Sequence, residues 1–180
     1  FNLNAAREAL NHRHDKNDLV LAFWGVGHKD ACERLKDNMI VVEPSIGYDS
    51  FFANFRIFES YAHLHKLLGG AHHNHPSPTD HVIPPGFTPS DFEFSEKKED
   101  YWLFLGRMVD GKGIHVADQL SRALRQPIKF VGPQNLKTTL PKDNPYAEFI
   151  HTVSHDERKH LLKKAKGLLM PTLYMEPCGW

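Results

Sequence analysis

Seven short, mostly apolar segments, each too short for a helix, punctuate the sequence: Leu19–Trp24, Met39–Val42, Val82–Ile83, Tyr101–Leu105, Ile128–Val131, Ala147–Ile150 and Leu168–Met170. Runs this short, bounded by turn residues, read as buried strands. Gly25 closes the first, Gly106 the fourth and Gly132-Pro133 the fifth. Between them lie stretches at helical spacing. Asn4 reads as the N-cap of a helix over Ala5–His12, and Ala31 and Leu35 mark another. Short strands alternating with helices argue for βα units on parallel sheets, an α/β fold. From 101 to 170 the order is strand, helix, strand, strand, helix, strand, which is half of a doubly wound sheet.

The longest periodic segment runs from Phe51 to Leu68, with Phe51, Phe55, Phe58, Tyr61 or Ala62, and Leu68 at mostly three- and four-residue steps. It predicts one helix, ended by Gly69-Gly70. A loop with His72, His73 and His75 follows, and Pro84-Pro85-Gly86 breaks the chain again. Residues 87–100 are polar, charged and without period, the composition of a linker. The expected division is therefore residues 1–86, a linker over 87–100, and a second domain over 101–180. In that second part Gly111-Lys112-Gly113 opens a helix whose Val116, Ala117, Leu120, Ala123 and Leu124 read as the inward face. Ser154 and Glu157 form a capping box ahead of Leu161, Leu162 and Ala165.

Charge excludes some functions. The 22 Lys and Arg cancel the 22 Asp and Glu, so no global field draws in nucleic acid or an anionic membrane. No eighteen apolar residues run together, which leaves no transmembrane helix. Two cysteines, Cys32 and Cys178, suit a reducing compartment, and the expected location is the cytoplasm. Phe1-Asn2-Leu3 has no signal-peptide character, and Pro177-Cys178-Gly179 before Trp180 is a turn that leads into a further element. Both ends predict a piece of a longer protein, with an apolar sheet edge near Leu168–Tyr174 open to homo-oligomerisation.

Ligands of open α/β sheets collect at the carboxyl ends of the strands. Arg107 directly follows the strand 101–105, and Lys112 stands between two glycines at the mouth of the next helix. A guanidinium fork and a point charge, five residues apart across a turn, can straddle one diphosphate. Two solvated loop cations have the same spacing. Glu176 follows the last strand, where a carboxylate can bind sugar hydroxyls or simply close a turn.

The segments YWLFLGRMVDGKGIHVADQL, IKFVG and AEFIHTVSHDERKHLLKKAKGLLMPTLYMEPCG resemble the donor-binding domain of family 4 glycosyltransferases, which have the GT-B fold of two Rossmann-like domains. DHVIPPGF resembles their passage from acceptor to donor domain, and VVEPSIGYDSFFANFRIFESYAH an acceptor-side segment. The resemblance implies that residues 1–86 are the C-terminal part of the acceptor-side domain and 101–180 the first half of the donor-binding domain. It implies a retaining glycosyltransferase of the hexosyltransferase type, moving a sugar from a UDP-, GDP- or ADP-sugar to an unknown sugar, lipid or protein acceptor, without a metal. Gly106, Arg107, Lys112, Gly113, Glu176 and Gly179 would then form the donor site, the cations on the diphosphate and Glu176 on the sugar. The family's second glutamate would fall past Trp180, so this chain is expected to be inactive alone. No nucleophile or base is implied.

Two other readings stand beside it. One is a nucleotide- or phosphosugar-binding module without catalysis. The other draws on the thirteen histidines: His63, His65, His72, His73 and His75 could gather around a zinc-like metal, though their spacing matches no zinc pattern. Glu59 and His63, four apart, read as a pair on one helical face.

Overall fold

In the computed structural model, which describes residues 2–12, 15, 17–23, 25–70, 76–134 and 143–179, the β-branched and aromatic runs become strands of two all-parallel sheets. The chain divides into two compact units, Phe1–Gly86 with Met175–Trp180, and Phe87–Tyr174.

The first unit runs α1 (Asn2–Asn11), β1 (Leu19–Leu21), α2 (Lys29–Leu35), β2 (Ile40–Ile46), β3 (Phe55–Phe58), α3 (Tyr61–Gly70) and β4 (Asp80–Val82). The strands lie in sequence order, β1-β2-β3-β4. Ala6, Ala31, Leu35 and Met39 pack beside Val20, while Leu64 and Leu67 pack on Ile46 and Phe58, so all three helices cover the same face. Leu19, Leu21, Ile40 and Phe55 share the opposite face by register and are 40–53% exposed. A parallel sheet is ordinarily covered on both sides. Across β3 and β4, Arg56 grips Asp80 with two hydrogen bonds of 2.5 and 2.8 Å, both side chains buried.

The second unit runs β5 (Trp102–Leu105), α4 (Ile114–Leu124), β6 (Ile128–Val131), β7 (Ala147–Ile150) and α5 (His155–Lys164). β5, β6 and β7 lie side by side in that order. Past α5 the chain returns to the free side of β5, where Leu168 bridges Leu103 in parallel. Leu103 gives its N–H to Gly167 and its C=O to Leu169, while Trp102 and Gly106 bond towards β6. α4 covers the face of Phe104, Ile128 and Phe130 through Ile114 and Ala117. α5 covers the face of Leu103 and Val131 through Leu161 and Ala165. The unit is doubly wound, with its reversal at β5.

Several expectations are corrected. Phe51–Leu68 is not one helix, since Phe55–Phe58 is a strand and helix begins only at Tyr61. The aromatic spacing fits both periods, but Arg56 must reach Asp80 and Phe58 is fully buried in the sheet. Ser60 ends the strand segment by accepting the His63 N–H at 3.1 Å, a helix cap. The inward face of α4 is Ile114, Ala117, Asp118 and Ser121, whereas Val116, Leu120, Ala123 and Leu124 are exposed. Two polar residues hold that face because Asn144 donates to Asp118 at 2.6 Å and to Ser121 at 2.8 Å.

Smaller differences concern element ends. Asn4 lies inside α1 rather than at its cap, β1 stops at Leu21, and the run at 168–170 pairs through one bridge only. β2 continues through Glu43-Pro44-Ser45 by means of a bulge, with Ser45 at φ 52°. Residues 87–100 fall in the second unit, where Asp91 and Glu93 pair with Lys159 and Lys163 of α5. Leu168, Met170, Leu173 and Tyr174 are exposed. No helix among the described residues is long and apolar enough to cross a membrane.

Candidate functional site

Reversal of strand order leaves a crevice at the carboxyl end of β5, because the next elements depart to opposite sides. In the second unit three segments meet there. Gly106-Arg107 leaves β5, with Arg107 exposed. Asp110–Lys112 forms a 3-10 turn, and Gly113, at φ +74°, starts α4 without a side-chain cap. Residues 171–174 form the third segment, and the Leu173 N–H donates to Gly111 O at 2.8 Å. The Lys112 ammonium lies over the Tyr174 ring, 5.4 Å from its centroid.

Glycine is required where these segments touch. A Cβ on Gly113 would stand 1.9 Å from Pro171 O, and one on Gly132 would stand 2.1 Å from Gly106 O. The left-handed backbone at Gly113 is also one that side chains other than glycine adopt at a cost. An uncapped helix start with Lys112 in the turn before it is a place where an anion is stabilised. His115, in the first turn of α4, bonds Asp110 at 3.1 Å at the surface.

Gly106, Arg107, Lys112 and Gly113 thus all lie on the connection from β5 to α4 in the second unit. Glu176 and Gly179 belong to the first unit. Glu176 is half-buried there and within electrostatic reach of Glu59.

At the carboxyl edge of the first unit's sheet, Glu43 is buried at the end of β2's regular pairing. It accepts hydrogen bonds from the Tyr48 hydroxyl at 2.8 Å and from the Phe52 and Ala53 N–H groups at 2.9 and 3.0 Å. Burial, with Glu43 beside it, raises the Tyr48 phenol well above its ordinary range. His63, 1% exposed, donates from Nε2 to Tyr48 O at 2.9 Å. Its Nδ1 has no hydrogen-bond partner among the described residues. Glu59, half-buried, sits where Gly47 leaves room; a Cβ there would be 2.7 Å from Oε2. Burial raises the Glu59 carboxyl above its ordinary value, His63 opposes the shift and Glu176 adds to it.

His63 is therefore committed to the backbone of Tyr48, not to a histidine cluster. His72, His73 and His75 lie outside the described residues, and among the described residues no group of three metal-ligating side chains converges. A separate crevice of about 490 Å³ opens beside Cys32, Lys36, Met39 and Phe55, at the amino ends of β2 and β3. That is the end of a parallel sheet away from the ligand edge. The Cys32 thiol is raised by burial, which makes it a poor nucleophile.

Sequence reading missed Tyr174 as the ring under Lys112, and missed Glu43 and Tyr48 altogether. Tyr174 carried a usable signal, an aromatic residue just beyond the last apolar run. Glu43 carried a weaker one, a charge directly after the apolar run Met39–Val42.

Over 99% of this chain the structure is similar to the crystal structure of AviGT4, a glycosyltransferase involved in Avilamycin A biosynthesis, with a TM-score of 0.67 and 20% sequence identity. The chain covers 54% of that protein, about half its length. No protein-family model matches the sequence, and no curated protein matches it significantly. The mixed α/β architecture with parallel sheets is that of a glycosyltransferase's Rossmann-like fold.

Proposed function

We propose that the chain is part of a retaining, family 4 type glycosyltransferase of the GT-B fold, with the second unit as the first half of its nucleotide-sugar-binding domain and the first unit as the end of its acceptor domain. What supports this reading is the position of Arg107 and Lys112 on the connection between the carboxyl end of β5 and the uncapped start of α4. Arg107 and Lys112 hold the diphosphate of the donor and neutralise charge on the leaving group as the bond from the sugar to phosphate breaks. The two cations supply the charge that a metal would otherwise provide. Glu176 is assigned to the donor sugar's hydroxyls, and the sugar passes to an acceptor hydroxyl. The two cysteines are free, which suits a reducing, cytoplasmic setting.

The test is thermal stability in EDTA against UDP-, GDP- and ADP-sugars, comparing the chain with Arg107→Ala and Lys112→Ala. A ligand at a hundred times its Kd adds roughly 2.7 kcal/mol. One nucleotide class should raise the melting temperature by several degrees. Losing one charge-assisted contact, about 1.5–3 kcal/mol, should weaken binding about ten- to a hundredfold in either variant. Stabilisation that survives both substitutions would refute the site.

A further inference from the structure

The two cations assigned to the donor's diphosphate differ in what they need. Arg107 carries a planar guanidinium whose donors are fixed relative to one another, whereas a lysine ammonium swings on a four-carbon stem and loses that freedom when it binds. Lys112 ends the turn Asp110–Lys112, and its ammonium stands 5.4 Å from the centroid of the Tyr174 ring, within cation–π range. The ring is brought there by main chain. Leu169 donates to Leu103 O on β5 at 2.8 Å, Pro171 O lies against Gly113, and Leu173 donates to Gly111 O at 2.8 Å. Gly111 admits the ring, since a Cβ there would stand 3.2 Å from its Cδ1. Segment 169–174 is thus fastened to β5 and to the turn that carries Lys112, and the two backbones are held at one spacing.

We propose that Tyr174 is the positioning residue for Lys112: the face of its ring holds the ammonium at the mouth of α4 before a nucleotide arrives. The diphosphate then meets a charge already in place, and less side-chain freedom is lost on binding. The ring acts through its π face and not its hydroxyl, so phenylalanine should serve as well and leucine should not. That the placed charge serves a diphosphate rests on the reading above; the placement itself does not.

The test has one arm without nucleotide and one with it. In the first, NMR of carbon-13-labelled lysine ε-methylenes in the full chain reads the placement, with the Lys112 signal identified by its loss in Lys112→Ala. The Lys112 ε-protons should lie upfield of their position in Tyr174→Leu, keep that shift in Tyr174→Phe, and lose part of it in Gly111→Ala, where the ring must turn. In the second, UDP, GDP and ADP are titrated in turn. Tyr174→Leu should weaken binding of the nucleotide that the parent takes about two- to fivefold, and Tyr174→Phe should restore it. In a Lys112→Ala background the leucine change should have no further effect, whereas a merely structural ring would weaken binding there too. Lys112 ε-protons at one position in the parent and in Tyr174→Leu, or a loss of binding that persists without Lys112, would overturn the proposal. A ring-dependent Lys112 signal in a protein that binds none of the three nucleotides would overturn the diphosphate reading and with it this use of the ring, so the two failures are told apart.

Discussion

Gly113→Ala tests whether the crevice at β5 is held by backbone contact. At φ +74° alanine carries a left-handed penalty of about 1–2 kcal/mol. Its Cβ would also stand 1.9 Å from Pro171 O and 2.7 Å from Pro171 C, so main chain rather than a flexible side chain must move. Forced displacement of packed atoms costs about 1–3 kcal/mol. Together these give a loss of about 2–5 kcal/mol, a large share of an ordinary domain's stability. Gly111→Ala is the control, because its nearest neighbour is the Tyr174 ring at 3.2 Å, which can swing aside; it should cost under about 1 kcal/mol. Urea denaturation measures both variants. Hydrogen exchange at the Leu173 amide, bonded to Gly111 O at 2.8 Å, shows whether segment 171–174 has lifted. A Gly113→Ala protein as stable as the parent, with that amide equally protected, would refute the packing described here.

Other outcomes follow from the first unit. Arg56→Ala strands the buried Asp80 carboxylate and should cost about 3–5 kcal/mol in denaturant unfolding, whereas Arg56→Met combined with Asp80→Leu should recover most of it. An unchanged single variant would mean that the pair is not buried. The folded Glu59 carboxyl is raised, so its stabilising share is complete below the ordinary glutamate value and is lost as pH rises through the folded one. Glu59→Gln should therefore flatten the decline of stability on raising pH from the ordinary glutamate range; an unaltered profile would contradict the assignment. The uncovered face of Leu19, Leu21, Ile40 and Phe55 should bind an apolar dye such as anilinonaphthalene sulfonate in the native state, and Leu19→Glu with Leu21→Lys should reduce that signal without unfolding. Absence of dye binding would show the face to be covered in solution.

Most strands and most helices, though not β3, were legible in the sequence because their burial leaves a simple trace. Trp102–Leu105 and Ile128–Val131 are mostly apolar segments closed by glycine, and Ser154 caps α5 as its capping-box spacing predicts, accepting the Glu157 N–H at 3.2 Å. Where polar groups do the packing, the trace failed. Asp118 and Ser121 occupy the inner face of α4 because Asn144 satisfies them from far along the chain. Arg56 left no trace in the periodicity of its segment, because its partner Asp80 stands far along the chain on β4. The placement of Arg107 just after β5 and of Lys112 just before α4 was legible from the glycines that flank them. The ring of Tyr174 and the contact of Pro171 on Gly113 were not, because both depend on where the chain returns after α5. Periodicity reports which side of an element is buried, and it is silent on long-range pairing.

The central claim is that nucleotide sugars bind at the carboxyl end of β5. The most direct measurement is a titration of nitrogen-15-labelled protein with UDP, GDP and ADP, following every assigned backbone amide. The account predicts saturable shifts for one nucleotide at Arg107 and at Gly111 to His115, lost in Arg107→Ala, with the amides around Cys32 and Lys36 unmoved. Saturable shifts centred on Cys32 and Lys36 instead, or none at the start of α4 with any of the three nucleotides, would contradict it.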